Sequence, residues 1–270
     1  MSDLPLHSEI IIYFVLFSTA ACMLLPFGGW IWRRCTHALP PIPQFPGSTF
    51  PHIFAYFYTA FFICTIAMGA VASAKMTRTE PLDAVDYATS IIMQILLYLP
   101  FVVVYFTLPK RDTPQVSFGQ KILWLVVALA AVGISGPILE VTGFSKWLMD
   151  TTGCPEYQDV IEALSKGGSM EKAIVAFMAV IVAPITEECC FRGFLYNILK
   201  RWNTPWLATI FSALMFSSVH GSLAQAIPLF IFGVVQCLAY EKARSLWLPI
   251  MIHFIFNGLN VAAVLLFMQA

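Results

Sequence analysis

Charge is what this sequence has least of. Lys, Arg, Asp and Glu make up 11% of the 270 residues and hydrophobic residues 59%, against about a quarter charged in ordinary soluble domains. A soluble fold of this length would have too few polar residues to cover its core, a requirement that lipid removes. The formal net charge is zero, so no basic patch points to a nucleic-acid partner and no acidic tail is present. The seven cysteines are odd in number and have no paired framework. Cys22, Cys64, Cys189, Cys190 and Cys237 lie in apolar stretches, where a thiol behaves as a small hydrophobe, and no structural disulfide is expected. The first nine residues contain Asp3 and Glu9 but no Lys or Arg, so the basic start of a secretory signal is missing and the first apolar run reads as a retained span. No internal repeat of the transporter kind is visible.

What the sequence has instead is long uncharged runs. A bilayer core takes about 20 apolar residues of helix. The runs between charges predict spans at Ile10–Trp32, His52–Ala74, Tyr87–Leu108 and Ile122–Leu139. The first two are separated by a Pro-rich loop, Leu39-Pro40-Pro41-Ile42-Pro43. A polar stretch from Thr142 to Ser169 follows, with room for a short surface helix at Glu156–Leu164. Glu171 opens a helical run to Arg201. The uncharged stretch Trp202–Tyr240 accommodates two helices with a turn at His220-Gly221-Ser222, and Ser245–Met268 closes the chain. The expected fold is therefore all-α, a polytopic transmembrane bundle of about eight spans, with seven or nine as the alternatives. Arg33, Arg34, Lys110, Arg111, Lys121, Lys200, Arg201, Lys242 and Arg244 fall on one side of this scheme. Lys75, Arg78, Lys146, Lys166 and Lys172 fall on the other. The basic excess places the first group in the cytosol and both termini outside.

The helix after Glu171 carries ionisable residues where lipid tolerates them least, in Ala183-Pro184-Ile185-Thr186-Glu187-Glu188-Cys189-Cys190-Phe191-Arg192. A charge at a helix centre costs roughly 2.5–3.5 kcal/mol on insertion scales, so three approach ~8 kcal/mol before pairing. Such a cost in a spanning helix points to function. Glu188 and Arg192 stand four apart in the order that favours a helical ion pair, which predicts a structural role for both. Glu187 lies about 100° round the helix from Glu188, so no intrahelical partner explains it. Pro184 removes a backbone hydrogen bond just before it and would loosen the helix.

His220 ends the sixth span, and His253 and Asn257 share a face of the last one. Taken singly, His220 reads as a packing residue and the His253–Asn257 pair as helix–helix glue. At 1.5 Å per residue, Glu187 lies ~20 Å from Lys200 and His220 ~22 Å from Pro205, which permits convergence near the middle of the bilayer. His7, His37 and His52 fall near or outside span ends and are assigned nothing.

Glu187-Glu188-x-x-x-Arg192, Phe216-x-x-x-His220 and His253-x-x-x-Asn257 together resemble the three signatures of the CPBP family, the type II CAAX prenyl protease and bacteriocin-processing proteins also called Abi. The likeness covers residues 121–270 and leaves 1–120 as N-terminal helices outside it. The resemblance implies an intramembrane endopeptidase in which Glu187 and His220 activate a water, His253 and Asn257 stabilise the oxyanion, and Glu188 and Arg192 support the site. It also implies a multi-pass protein of a bacterial or archaeal cell membrane. Its partners would be membrane lipid and a hydrophobic, membrane-anchored or prenylated-type peptide.

Glu187, His220 and His253 would also make a two-His, one-carboxylate zinc set. No His-Glu-x-x-His motif accompanies them, and a metal-free glutamic mechanism is the favoured expectation. The alternative function is non-catalytic, bacteriocin self-immunity or peptide binding. Proton-coupled transport, which buried Glu, Arg and His would also serve, predicts paired halves with matching broken helices, and only one broken helix is evident.

Overall fold

A computed structural model describes residues 5–36, 116–155 and 159–268. Among the described residues the secondary structure is entirely helical. The expected spans at His52–Ala74 and Tyr87–Leu108, and the Pro-rich loop, lie outside the described residues, as do residues 156–158. The first helix, α1, covers Leu6–Thr36, extending the expected span at both ends. Helix α2, Phe118–Val141, starts at a capping box in which Ser117 and Gln120 each accept the other's backbone N–H. That exchange satisfies two amides that a helix start would otherwise leave unpaired.

The polar connection after α2 holds two short helices, α3 at Phe144–Thr152 and α4 at Asp159–Lys166; only the second had a counterpart in the sequence expectation. It is more than a surface helix. Ala163 and Leu164 are buried against Val175, Val261 and Val264, so α4 seals one end of the bundle between the two longest helices of the core.

Helix α5 is continuous but not uniform. It runs from Ser169–Phe177 through a π-turn at Met178–Val182, an α-helical turn at Ala183–Glu188 and a second π-segment at Cys189–Tyr196, ending at Asn197–Trp202. Helix α6, Pro205–Val219, starts at Thr204, whose side chain accepts the N–H of Leu207, and at Pro205, whose missing N–H costs nothing at the first helical position. The chain reverses at Gly221, whose φ of 65° is in the left-handed region that favours glycine. Helices α7, Ala226–Ala243, and α8, Trp247–Phe267, complete the chain. Four helices among the described residues, Phe118–Val141, Ser169–Lys200, Ala226–Ala243 and Trp247–Phe267, are long and apolar enough to cross a membrane. Many large apolar residues on α2 and α8, among them Leu123, Ile134, Phe254 and Leu266, are exposed, as helices solvated by lipid require.

The core is built by α5, α6, α7 and α8, with α1 against α6 and the end of α5. Helices α6 and α7 approach one another closely at Gly233. A Cβ added at Gly233 would stand 2.9 Å from both the Cα and Cβ of Ala213, contacts that only glycine avoids. Gly233→Ala is therefore expected to push the two helices apart and to destabilise the protein by roughly 1–3 kcal/mol, the usual cost of overpacking. Thermal unfolding of the purified variant in detergent measures this directly.

Candidate active site

The site is assembled from α5 outward. Ala183–Glu188 lies between two stretches whose register is widened by one residue per turn, and Pro184 opens it. Such π-turns cost hydrogen-bond geometry and recur where a helix has to aim particular side chains. Here they aim two consecutive carboxylates in different directions. Glu187 and Glu188 are both buried, at 9% and 0% exposure.

Glu188 is the hub of a buried polar network. Its Oε1 accepts Arg192 Nη1 at 3.0 Å, which is the i, i+4 ion pair read from the sequence. The same oxygen lies 2.9 Å from His253 Nδ1 and 3.2 Å from Gln236 Nε2, so one carboxylate joins α5 to α7 and α8. Arg192 is fully buried, donates from Nη2 to the carbonyl of Gly233 at 3.2 Å, and sits 4.5 Å from the centroid of the Phe216 ring. Gln236 also donates to Pro249 O at 2.9 Å and ties α7 to the start of α8. An ion pair this deep is held by geometry and partners rather than by net stabilisation, because desolvation offsets most of its Coulombic gain.

Glu187 faces the other way, toward the end of α6. Its Oε2 stands 3.8 Å from His220 Nε2 and has no hydrogen-bond partner. His220 Nδ1 lies 2.6 Å from the carbonyl of Phe216. Since a carbonyl can only accept, this nitrogen carries the proton, and Nε2 of the neutral ring presents a lone pair to Glu187. The ring of Phe216 lies between the two histidines, with centroids 4.6 Å from His220 and 6.1 Å from His253. It also makes an edge contact with Phe191 at 5.2 Å. The Phe-x-x-x-His spacing thus has a local meaning: Phe216 fixes the tautomer of His220 through its backbone and the spacing of the two imidazoles through its ring.

Asn257 and His253 share one face of α8, as their i, i+4 spacing predicts, and both meet α5. Asn257 donates from Nδ2 to the backbone carbonyl of Ala179 at 2.7 Å, in the first π-turn. Three motifs on three helices are therefore brought together, by one contact between Glu187 and His220 and by two between α8 and α5. The residue that the sequence left unmarked is Gln236. Its signal was a lone carboxamide within the uncharged run of α7 that precedes Glu241, which in lipid points to an interhelical hydrogen bond.

A zinc ion through Glu187, His220 and His253 would need their donor atoms to converge. Nδ1 of His253 is engaged by Glu188 and Nδ1 of His220 by Phe216, which leaves Nε2 as the remaining donor atom of each ring. Among the described residues no three His, Cys, Asp or Glu side chains gather as a metal set would.

Comparison with known proteins agrees with the motifs. Residues 169–259 match the family model described as type II CAAX prenyl endopeptidase Rce1-like, so the likeness expected from the three signatures is found again over the segment that carries them. The chain is similar to a Bacillus subtilis protein named as membrane peptidase YdiL, at 27% identity over 159 residues, 56% of this chain and 61% of that one. It is also similar to the membrane-embedded CAAX protease MroQ of Staphylococcus aureus, at 35% identity over 99 residues, 34% of this chain and 40% of that one. The matches thus span less than two thirds of these relatives' lengths. No solved structure matches. The described residues are thus helical, with four helices long and apolar enough to cross a membrane, and residues 169–259 are similar to the CAAX-type endopeptidase family model.

Proposed function

We propose that this protein is an intramembrane endopeptidase that hydrolyses a peptide bond in a hydrophobic, membrane-associated segment. The observation that carries the reading is the Glu187–His220 pair. A separation of 3.8 Å is too long for a direct hydrogen bond and suits a water held by both groups. Both present acceptors, so such a water directs its two protons at them and its oxygen lone pair at a peptide carbonyl. Glu187 takes a proton as the attack proceeds and returns it to the leaving amine.

The oxyanion that develops needs donors. His253 keeps one N–H on Glu188. Carrying a second proton at Nε2, it becomes an imidazolium that donates to the oxyanion, with Asn257 contributing the N–H that Ala179 does not use. In this state Glu187, Glu188, Arg192 and His253 sum to zero charge, which makes their burial tolerable. Glu188 and Arg192 then support the site without touching substrate. The reading requires no ion, and a chelator tests that directly. Purified protein in liposomes is expected to cut members of a quenched transmembrane-peptide library with unchanged rates in the presence of a zinc chelator, and His220→Ala to lose cutting. Chelator-sensitive cleavage restored by zinc would overturn the metal-free mechanism. No cleavage, with the protective phenotype of the gene intact in Glu187→Gln, would favour self-immunity by binding.

The direction of approach narrows the substrate. From the site to the basic end at Lys200 and Lys242, the interior is filled by buried Phe191, Phe194, Tyr196, Leu199 and Met215. In the other direction the His220 side chain is 23% exposed, beside the turn that leads to α7. Basic ends face the cytosol, so the peptide reaches Glu187 from the opposite face of the membrane. Ser222→Cys is expected to react with a membrane-impermeant maleimide on intact cells, and Arg244→Cys only after permeabilisation. The reverse pattern would place the entrance in the cytosol.

A further inference from the structure

The contact between Asn257 and the main chain of α5 has a cause in the backbone of α5. In an α-helix the carbonyl of Ala179 would accept the N–H of Ala183, four residues on. Ala183 instead donates to Met178, five residues back. In the widened register the donor for Ala179 would be the fifth residue on, and that residue is Pro184, which has no N–H. The carbonyl of Ala179 is passed over by both registers. On a water-exposed helix this would cost little, but in the bilayer each unsatisfied backbone group costs several kcal/mol. Asn257 supplies the missing donor from α8, at 2.7 Å and 78 positions along the chain.

We propose that Asn257 is a positioning residue: it closes the gap that Pro184 and the π-turn open in α5, and so fixes the rotation at which the Ala183–Glu188 turn presents Glu187 to His220. This rests on the peptidase reading for its activity readout and goes beyond the oxyanion role, which it does not require. The geometry favours it for a second reason. A π-turn adds one residue to a turn, and slipping back to α-helical register would rotate everything after Ala183 by about 100°. That rotation would carry Glu187 away from His220 and bring Glu188 out of its contacts with Gln236 and His253. Alpha-helical slippage is blocked only as long as the widened turn is held, and Asn257 is the side chain that holds it.

The test is whether the defect of one helix can be repaired in the other. Asn257→Ala is expected to lower kcat by roughly 5- to 150-fold, the equivalent of one buried hydrogen bond, with KM little changed. Amide exchange over residues 179–188 should quicken in the same variant. Pro184→Ala restores an N–H five residues beyond Ala179. The double variant Pro184→Ala/Asn257→Ala is expected to regain most of that roughly 5- to 150-fold loss in kcat and to recover exchange protection. Pro184→Ala should give no such recovery to His253→Ala, whose defect lies elsewhere. A double variant no better than Asn257→Ala, or exchange over 179–188 that is identical in Asn257→Ala and wild type, would overturn the proposal. Exchange and thermal unfolding in detergent are read without substrate. A wild type that cleaves nothing would therefore count against the peptidase reading while still leaving this proposal decided.

Discussion

Glu187→Gln is expected to fold, to bind substrate with KM little changed, and to lose kcat by roughly 10²- to 10⁴-fold, the range set by removal of a general base. The amide keeps the shape of the side chain and sits where no hydrogen bond is made by Oε2, so packing is left as it was. What disappears is the acceptor that takes the proton of water. A loss confined to kcat marks an interaction made in the transition state and not on binding. Steady-state kinetics on a peptide selected from the library, with thermal unfolding measured alongside, separates that loss from misfolding.

Glu188→Ala is expected to behave in the opposite way, failing in stability before it fails in chemistry. Removal of this carboxylate leaves the guanidinium of Arg192 fully buried with its charge unmatched, and takes the shared acceptor from His253 and Gln236. Breaking one side of a buried ion pair costs about 3–5 kcal/mol, whereas replacing both sides by apolar residues of similar volume is often neutral. Glu188→Leu/Arg192→Met is therefore expected to unfold at a higher denaturant concentration than Glu188→Ala, although neither would position His253. Equilibrium unfolding in mixed micelles reads the order of the two. Equal destabilisation would mean that the pair is not what holds α5 against α7.

The difference between these two neighbouring glutamates was legible in the sequence because lipid makes charge conspicuous. An i, i+4 partner for Glu188 and none for Glu187 follow from helix geometry alone, and both the 3.0 Å Glu188–Arg192 contact and the orphaned Glu187 Oε2 follow suit. The helices α2, α6, α7 and α8 were likewise readable from uncharged runs, and the turn at Gly221 from its residues. Less was legible where the structure depends on backbone register. The π-turns flanking Ala183–Glu188 leave no mark on a hydrophobic pattern, since every residue there is apolar or already singled out. The carbonyl that Asn257 satisfies could be found only once that register was known. Gly233 looked like any helical glycine until Ala213 was placed against it. Gln236, uncharged, did not draw the attention that a lysine in its place would have drawn. The assignment of His253 to Glu188 is tertiary, because nothing in the spacing of α8 says which carboxylate of the pair it meets.

The measurement that tests the central claim most directly is single-turnover cleavage of one quenched transmembrane peptide, co-reconstituted in liposomes with wild type, Glu187→Gln or Glu188→Gln, each with chelator present and each shown to be folded. The account predicts cleavage by wild type, none above background by Glu187→Gln, and slowed but measurable cleavage by Glu188→Gln. Cleavage by folded Glu187→Gln at the wild-type rate would contradict it, because the buried carboxylate set beside His220 would then have no part in the chemistry.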